Sequence, residues 1–206
     1  MNKRIVGVLV TAATAALIAA PGFAALNAGA VAPDFTATAS QAGKDFTFSL
    51  KQALAKGPVV VYFYPAAYTG GCDLEAHTFA TEKDKFTQAG ATIIGVSADS
   101  IARLNQFSSD PKYCAGKFAV ASDPGGKIAT QYDLKMVPPQ KGVTDVQGKP
   151  VTHGFFPRTT FVIDREGKIV KVLSSKEDHL TPDQHVKQSL AIVERMHAGN
   201  TPQAGE

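Results

Sequence analysis

The chain has 206 residues, and 44% of them are hydrophobic, which is enough for one domain with a full core and too apolar for a disordered chain. Its formal charge is +3, from 21 basic against 18 acidic residues, and no basic cluster is present. This balance gives no reason to expect nucleic acid or an acidic lipid surface as a partner.

The first 24 residues have the organisation of a secretory signal peptide. Lys3 and Arg4 precede an uncharged apolar run from Ile5 to Ala20, and small residues up to Ala24 suit cleavage. An uncleaved membrane anchor is the alternative, but the run is short for spanning a bilayer. The sequence therefore predicts a signal peptide over residues 1–24 and one exported, periplasmic domain over residues 25–206.

The cleavage site has two candidates. Ala24 is the preferred position and Ala30 is the second. Loss of Lys3 and Arg4 would lower the formal charge of the mature protein from +3 to +1, because no acidic residue precedes Asp34.

The mature chain opens with two stretches in which apolar and polar residues alternate. Residues 33–39 and 45–50 predict the two strands of a β-hairpin, and residues 49–55 predict a short helix before Gly57-Pro58.

A buried strand followed by a helix comes next. The run Val59–Phe63 is continuously apolar, as in a strand buried on both faces, and helix-forming residues extend from Cys72 to Ala89. Gly90 is a plausible helix cap. Cys72 is thus predicted at a helix N-terminus, where unpaired N–H groups and the helix dipole favour the thiolate and predict a lowered thiol pKa.

Further elements continue the α/β pattern. Residues 91–97 predict a second buried strand, joined to the first through the helix as a parallel crossover, and a helix follows to about Ser108. Cys114 comes before a short strand at residues 118–120.

The last part of the chain is expected to contain a loop and a hairpin between two helices. A short helix is predicted up to Tyr132, then a loop over residues 136–156 with a weak hairpin at residues 146–149. Residues 159–164 and 168–173 predict an antiparallel hairpin, and Pro182 opens a final helix to about His197.

Only two cysteines are present, Cys72 and Cys114. One structural disulfide is a possible interpretation in an oxidising compartment. The position of Cys72 at an electropositive turn weighs against it. His77 has no second histidine or acid at metal spacing, so a surface or capping role is favoured over a metal ligand or a base.

Four ordered motifs resemble the peroxiredoxins, and among them the Q-type or bacterioferritin-comigratory subfamily. The active-site pattern is Pro65-x-x-x-Thr69-x-x-Cys72. The other three motifs are Val31-Ala32-Pro33-Asp34-Phe35, Ile94-Gly95-Val96-Ser97-Ala98-Asp99-Ser100 and Arg158-Thr159-Thr160-Phe161-Val162-Ile163-Asp164. The resemblance implies an α/β thioredoxin-like fold, with a central mixed sheet flanked by helices and the N-terminal hairpin.

The resemblance also implies a site. Cys72 would be the peroxidatic nucleophile that reduces hydrogen peroxide and organic hydroperoxides. Thr69 would hold its hydroxyl against the sulfur and a peroxide oxygen, Arg158 would bind the peroxide and offset nearby acids, and Pro65 would shield the thiolate. The N–H groups of Gly71 and Cys72 would face the developing charge. A contact from Glu75 to Arg158 is a weaker expectation, since a first-turn acid also suits the helix dipole.

Resolution of the oxidised cysteine is expected to use Cys114. Many Q-type relatives carry a resolving cysteine at the position that His77 occupies here, and others carry it in the region of Cys114. The implied cycle makes a sulfenic acid at Cys72, then a Cys72–Cys114 disulfide that an external thioredoxin-like dithiol reduces. Partial unwinding at Gly70-Gly71 would bring the cysteines together. The resemblance further implies a monomer or weak homodimer, no stable membrane insertion, and no cofactor beyond thiols.

Two other functions are alternatives to this one. A thioredoxin-fold thiol-disulfide oxidoreductase would need a second cysteine in the motif Cys-x-x-Cys, and Cys72-Asp73-Leu74-Glu75 lacks it. A non-catalytic exported domain with a structural Cys72–Cys114 bridge is the third possibility. Copper or zinc binding has no supporting group of residues.

Overall fold

The computed structural model describes residues 25–139 and 141–200. The predicted signal peptide over residues 1–24 lies outside the described residues. In the part of the chain that is described, no helix has both the length and the apolar character needed to cross a membrane.

A seven-stranded mixed sheet forms the centre of the fold. The strands are β1 (Thr36–Gln41), β2 (Lys44–Ser49), β3 (Val59–Phe63), β4 (Thr92–Ser97), β5 (Ala119–Ser122), β6 (Thr159–Ile163) and β7 (Ile169–Ser174). Their order in the sheet is β2-β1-β5-β4-β3-β6-β7. The three strands β3, β4 and β5 are parallel, and β1, β2, β6 and β7 pair antiparallel to their neighbours. The predicted mixed sheet, N-terminal hairpin and C-terminal hairpin are confirmed.

In the described residues, five helices cover the two faces of this sheet. They are α1 (Leu50–Leu54), α2 (Gly70–Gln88), α3 (Ile101–Ser109), α4 (Lys127–Gln131) and α5 (Pro182–Asn200). Alternate residues of β3 enter two separate cores: Val61 packs with residues of α1 and α4, whereas Tyr62 packs with residues of α2, α3 and α5. Every residue of β3 is buried because both faces are covered, which explains its unbroken apolar sequence.

Two helix boundaries differ from those predicted by two residues or more. Helix α2 begins at Gly70, not at Cys72, because the Thr69 carbonyl already accepts hydrogen bonds from the N–H groups of Cys72 (2.8 Å) and Asp73 (2.9 Å). Helix α5 continues to Asn200, past the predicted end at His197. The predicted loop between α4 and β6 contains two isolated antiparallel bridges, Val137 with Phe155 and Thr144 with Pro150.

Candidate active site

The turn between β3 and α2 places Cys72 beside the end of β3. Thr69 is the extended residue before the helix, so Cys72 is the third residue of α2 and lies in its first turn. The positive end of the helix dipole is therefore close to the sulfur. Cys72 is only 2% exposed.

Arg158 reaches the cysteine from the start of β6, which is the antiparallel neighbour of β3. Its Nη2 donates to Cys72 Sγ at 3.2 Å, and its Nη1 donates to Glu75 Oε2. A Cβ on Gly71 would lie 3.2 Å from Nη2 and 3.4 Å from Pro182 Cγ. Glycine at position 71 thus lets the guanidinium approach the first turn of α2.

Glu75 is fully buried, and its carboxylate accepts from Nη1 of Arg158. Its Oε1 has no hydrogen-bond partner among the described residues. Burial raises the pKa of this carboxyl to about 7, although Arg158 opposes the shift. The weaker expectation of a Glu75–Arg158 contact is confirmed, and the contact is a buried ion pair.

The predicted lowering of the Cys72 thiol pKa is wrong for this structure. Burial raises the pKa above its ordinary value, because the sulfur loses the hydration that would stabilise its charge. Arg158 and hydrogen bonds from the Ala66 backbone and the Thr69 side chain lower the pKa, and Glu75 raises it. The thiolate therefore depends on Arg158 and on the Ala66–Thr69 turn.

Thr69 and Pro65 both lie in this turn, as the sequence predicted. The Thr69 hydroxyl donates to the Ala66 carbonyl at 2.7 Å and makes no cap hydrogen bond to the helix. A hydroxyl has one hydrogen, so Thr69 donates either to Ala66 or to the sulfur at any moment. Pro65 is half-buried at the start of the turn.

Cys114 lies in a turn after α3 and its side chain is fully buried. Cys114 and Cys72 are both free thiols. Both side chains belong to the core on the α2 side of the sheet, but no disulfide joins them. Burial raises the pKa of the Cys114 thiol well above its ordinary value, and the acids Asp110 and Asp73 add to the shift. No three side chains of the described residues form a group that could hold a metal ion.

Comparisons with known proteins show the family of this chain. The family model described as the AhpC/TSA family matches residues 28–172. A chloroplastic peroxiredoxin Q of Populus jackii is 32% identical over 84% of this chain and 71% of its own length. A peroxiredoxin of Mycobacterium tuberculosis strain CDC 1551 is 33% identical over 73% of this chain and 86% of its own length.

The chain belongs to the AhpC/TSA family and is a Q-type peroxiredoxin. The crystal structure of peroxidoxin BcpB from Mycobacterium tuberculosis supports this, with a TM-score of 0.67 and 29% identity over 83% of this chain and 98% of that one. Peroxiredoxin Q from Xanthomonas campestris, at 24% identity, has the same fold with a TM-score of 0.59 over 79% of this chain and 91% of that one. Membership makes the protein a thiol peroxidase.

His77 has the surface role that the sequence favoured. The residue is exposed, and its Nδ1 donates to the Lys112 carbonyl at 3.1 Å. In this peroxiredoxin the side chain at position 77 therefore contacts the segment that carries Cys114.

The sequence did not assign a role to Asp99 or Arg103. The structure places both beside the active-site turn, where Asp99 accepts from the Ala67 N–H at 2.8 Å and Arg103 donates to the Ala67 carbonyl at 3.1 Å. The available signal was an acid at the end of a buried strand with an arginine four residues later, which is a spacing that brings side chains together on a helix.

Proposed function

We propose that the protein reduces hydrogen peroxide and organic hydroperoxides by attack of the Cys72 thiolate, and that Cys114 resolves the product. The observation that carries the first step is the 3.2 Å contact between Arg158 Nη2 and Cys72 Sγ in the first turn of a helix. A fixed guanidinium at that distance favours the charged sulfur and offers a donor to a peroxide oxygen.

The chemical step is a two-electron displacement. The Cys72 sulfur forms a bond to one peroxide oxygen, the O–O bond breaks, and the other oxygen leaves as hydroxide or alkoxide and takes a proton from water. The sulfur becomes a sulfenic acid while the peroxide is reduced, and the proton that the Cys72 thiol released to solvent on ionising balances the one taken up by the leaving oxygen. Thr69 and the N–H group of Gly71 would stabilise the charge that develops on the oxygens. The Cys72 N–H, which the sequence also suggested, instead donates to the Thr69 carbonyl at 2.8 Å.

Resolution would require movement of at least one cysteine. The Cys114 sulfur attacks the sulfenic sulfur, the S–O bond breaks, and the hydroxyl leaves as water with the Cys114 proton. Disulfide geometry requires Cα atoms within about 7 Å. The Cys114 segment is held by the His77–Lys112 contact and by Tyr113, whose ring packs edge-on to that of Tyr68 at 5.4 Å, so these contacts would open first.

An external thioredoxin-like dithiol would complete the cycle by reducing the Cys72–Cys114 disulfide. We further propose that the protein is exported to the periplasm as a monomer or weak homodimer. Residues 29 and 30 hydrogen-bond to Ile169 of β7 at 2.8 and 2.9 Å, which supports cleavage after Ala24 over cleavage after Ala30.

Peroxide consumption with dithiothreitol as reductant tests the function. The protein over residues 25–206 is expected to consume hydrogen peroxide and cumene hydroperoxide catalytically. Cys72→Ser is expected to have no activity above the reductant alone. Equal turnover by Cys72→Ser and the parent would refute the role of Cys72.

A further inference from the structure

The turn Ala66–Thr69 carries groups that face Cys72, yet its own sequence does not favour its shape. Tyr68 has a φ of 61°, in the left-handed region that favours glycine. A tyrosine persists in that conformation only when its surroundings hold it there. The contacts that hold this turn therefore bear on the geometry of the site.

Asp99 holds the backbone of the turn through a hydrogen bond. Its carboxylate is fully buried at the end of β4 and accepts from the Ala67 N–H at 2.8 Å. The Ser97 hydroxyl donates to the same oxygen at 2.8 Å, while the other oxygen accepts from Arg103 Nε at 3.1 Å.

Arg103 holds the same residue through its carbonyl. Its Nη2 donates to the Ala67 oxygen at 3.1 Å and also to Asp145 Oδ2, and its Cζ lies 5.0 Å from the centre of the Tyr68 ring. Both backbone groups of Ala67 are thus engaged by one ion pair, and the strained Tyr68 lies against the same guanidinium.

The loop that begins at Asp145 also contacts the turn. Asp145 accepts from the N–H groups of Gln147 (2.7 Å) and Lys149 (2.8 Å), which fixes the loop around its carboxylate. The Val146 N–H donates to the Tyr68 carbonyl at 2.9 Å. Arg103 therefore links the loop and the turn.

His153 completes the charge balance of this network. Its Nε2 lies 3.0 Å from Asp99 Oδ1, and its Nδ1 lies 2.8 Å from the Gly154 carbonyl. Both neighbours are acceptors, so both ring nitrogens must donate, which assigns a protonated imidazolium. The network then contains two carboxylates, from Asp99 and Asp145, and two cations, from Arg103 and His153.

We propose that Asp99 and Arg103 are positioning residues of the peroxidase site, which hold Ala67 so that the Thr69 hydroxyl and the Ala66 N–H stay aimed at Cys72. The proposal rests on the proposed function, since it concerns the reaction of Cys72 with peroxide. Asp99 and Arg103 act through the turn and not on the sulfur itself. Their loss should therefore affect the peroxide reaction, which needs those donors, more than simple alkylation of the thiolate.

The test compares Arg103→Gln with Asn105→Ala in a Cys114→Ser background, so that only Cys72 reacts. Asn105 is a matched control on the same helix, because its amide bonds Asp45 at 2.7 Å, away from the turn. The rate constants of Cys72 with hydrogen peroxide and with iodoacetamide are measured over a range of pH, and melting temperatures report folding. The iodoacetamide profile gives the rate per thiolate.

Arg103→Gln is expected to slow the peroxide reaction by about 10- to 100-fold, the scale of a small misplacement of reacting groups, while the alkylation rate per thiolate changes by no more than about twofold. Asn105→Ala should leave both rates unchanged. Arg103→Lys keeps the cation but cannot bridge Asp99, Ala67 and Asp145, so it should recover only part of the rate. It also provides the test if Arg103→Gln does not fold.

Two results would overturn the proposal. One is a peroxide rate in the folded Arg103 variant within about twofold of the background, and the other is an equal loss of the peroxide and alkylation rates, which indicates general structural damage. Failure of the proposed function is a separate outcome, since the Cys114→Ser background would then not react with peroxide at all.

Discussion

Replacement of Arg158 by methionine should raise the pKa of the Cys72 thiol and remove most of the thiolate at neutral pH. Arg158 is 10% exposed and its Nη2 lies 3.2 Å from Cys72 Sγ. At an effective dielectric constant of about 20, a pair of unit charges at this distance attracts by roughly 5 kcal/mol. The Glu75 carboxylate shares the guanidinium and offsets part of this attraction.

If Glu75 cancels half of the attraction, the thiolate loses about 2.5 kcal/mol, which corresponds to roughly a 60-fold smaller thiolate population. Glu75 would add little further charge in the variant, because burial already raises its carboxyl pKa to about 7 and loss of its partner would favour protonation. The alkylation rate at pH 7 should fall by the same factor.

The assay is the pH profile of iodoacetamide alkylation in the Cys114→Ser background, read by intact mass. Arg165→Met is the matched control, because Arg165 is an exposed arginine in the turn between β6 and β7. An alkylation profile of Arg158→Met that superimposes on that of Arg165→Met would refute the argument that Arg158 supplies the charge that favours the thiolate.

Three further changes have expected outcomes. Glu75→Gln should lower the Cys72 thiol pKa, because the Glu75 charge raises it. The same change should slow the peroxide reaction, because Arg158 loses the buried carboxylate that holds it. Parallel changes in the alkylation profile and the peroxide rate would contradict this. His77→Ala removes a hydrogen bond worth about 0.5–1.5 kcal/mol to the Cys114 segment. Disulfide formation after a peroxide pulse should therefore be about 2- to 10-fold faster. An unchanged or slower rate would show that His77 does not hold that segment in place. Burial alone lowers the His153 pKa, but the hydrogen bond to Asp99 and the Asp99 charge raise it overall. The contact therefore stabilises the protein below the ordinary histidine pKa of about 6.5, and this stability is lost as pH rises through the raised value. The free energy of unfolding should therefore fall less between pH 6 and pH 9 in His153→Gln than in the parent, and identical pH dependence would argue against an imidazolium.

The elements that the sequence predicted well are those with strong local signals. Strand β3 is buried on both faces, so each of its residues had to be apolar, and that run is visible without the fold. The two hairpins combine alternating residues with short turns. The start of α2 was misplaced because Gly70 and Gly71 are poor helix formers, whereas the Thr69 carbonyl fixes the first turn.

The site could be predicted only in part, because its chemistry comes from residues that are distant in sequence. Arg158 and Glu75 are 83 positions apart, so their ion pair depends on the pairing of β3 with β6. Burial of the Cys72 sulfur comes from core packing, and it raises the thiol pKa by more than Arg158, the Ala66 backbone and Thr69 lower it. Asp99 and Arg103 have the spacing of an ion pair, but their engagement of the Ala67 backbone arises from tertiary structure.

Intact mass after a brief peroxide pulse tests the two-cysteine cycle most directly. The reduced protein over residues 25–206 is mixed with one equivalent of hydrogen peroxide, quenched within seconds with a thiol alkylator, and compared with Cys72→Ser and Cys114→Ser. The two-cysteine cycle predicts loss of two hydrogens and no alkylation in the parent, no oxidation in Cys72→Ser, and a trapped sulfenic acid in Cys114→Ser. Two alkylated, unoxidised thiols in the parent would contradict it and return both cysteines to a structural role.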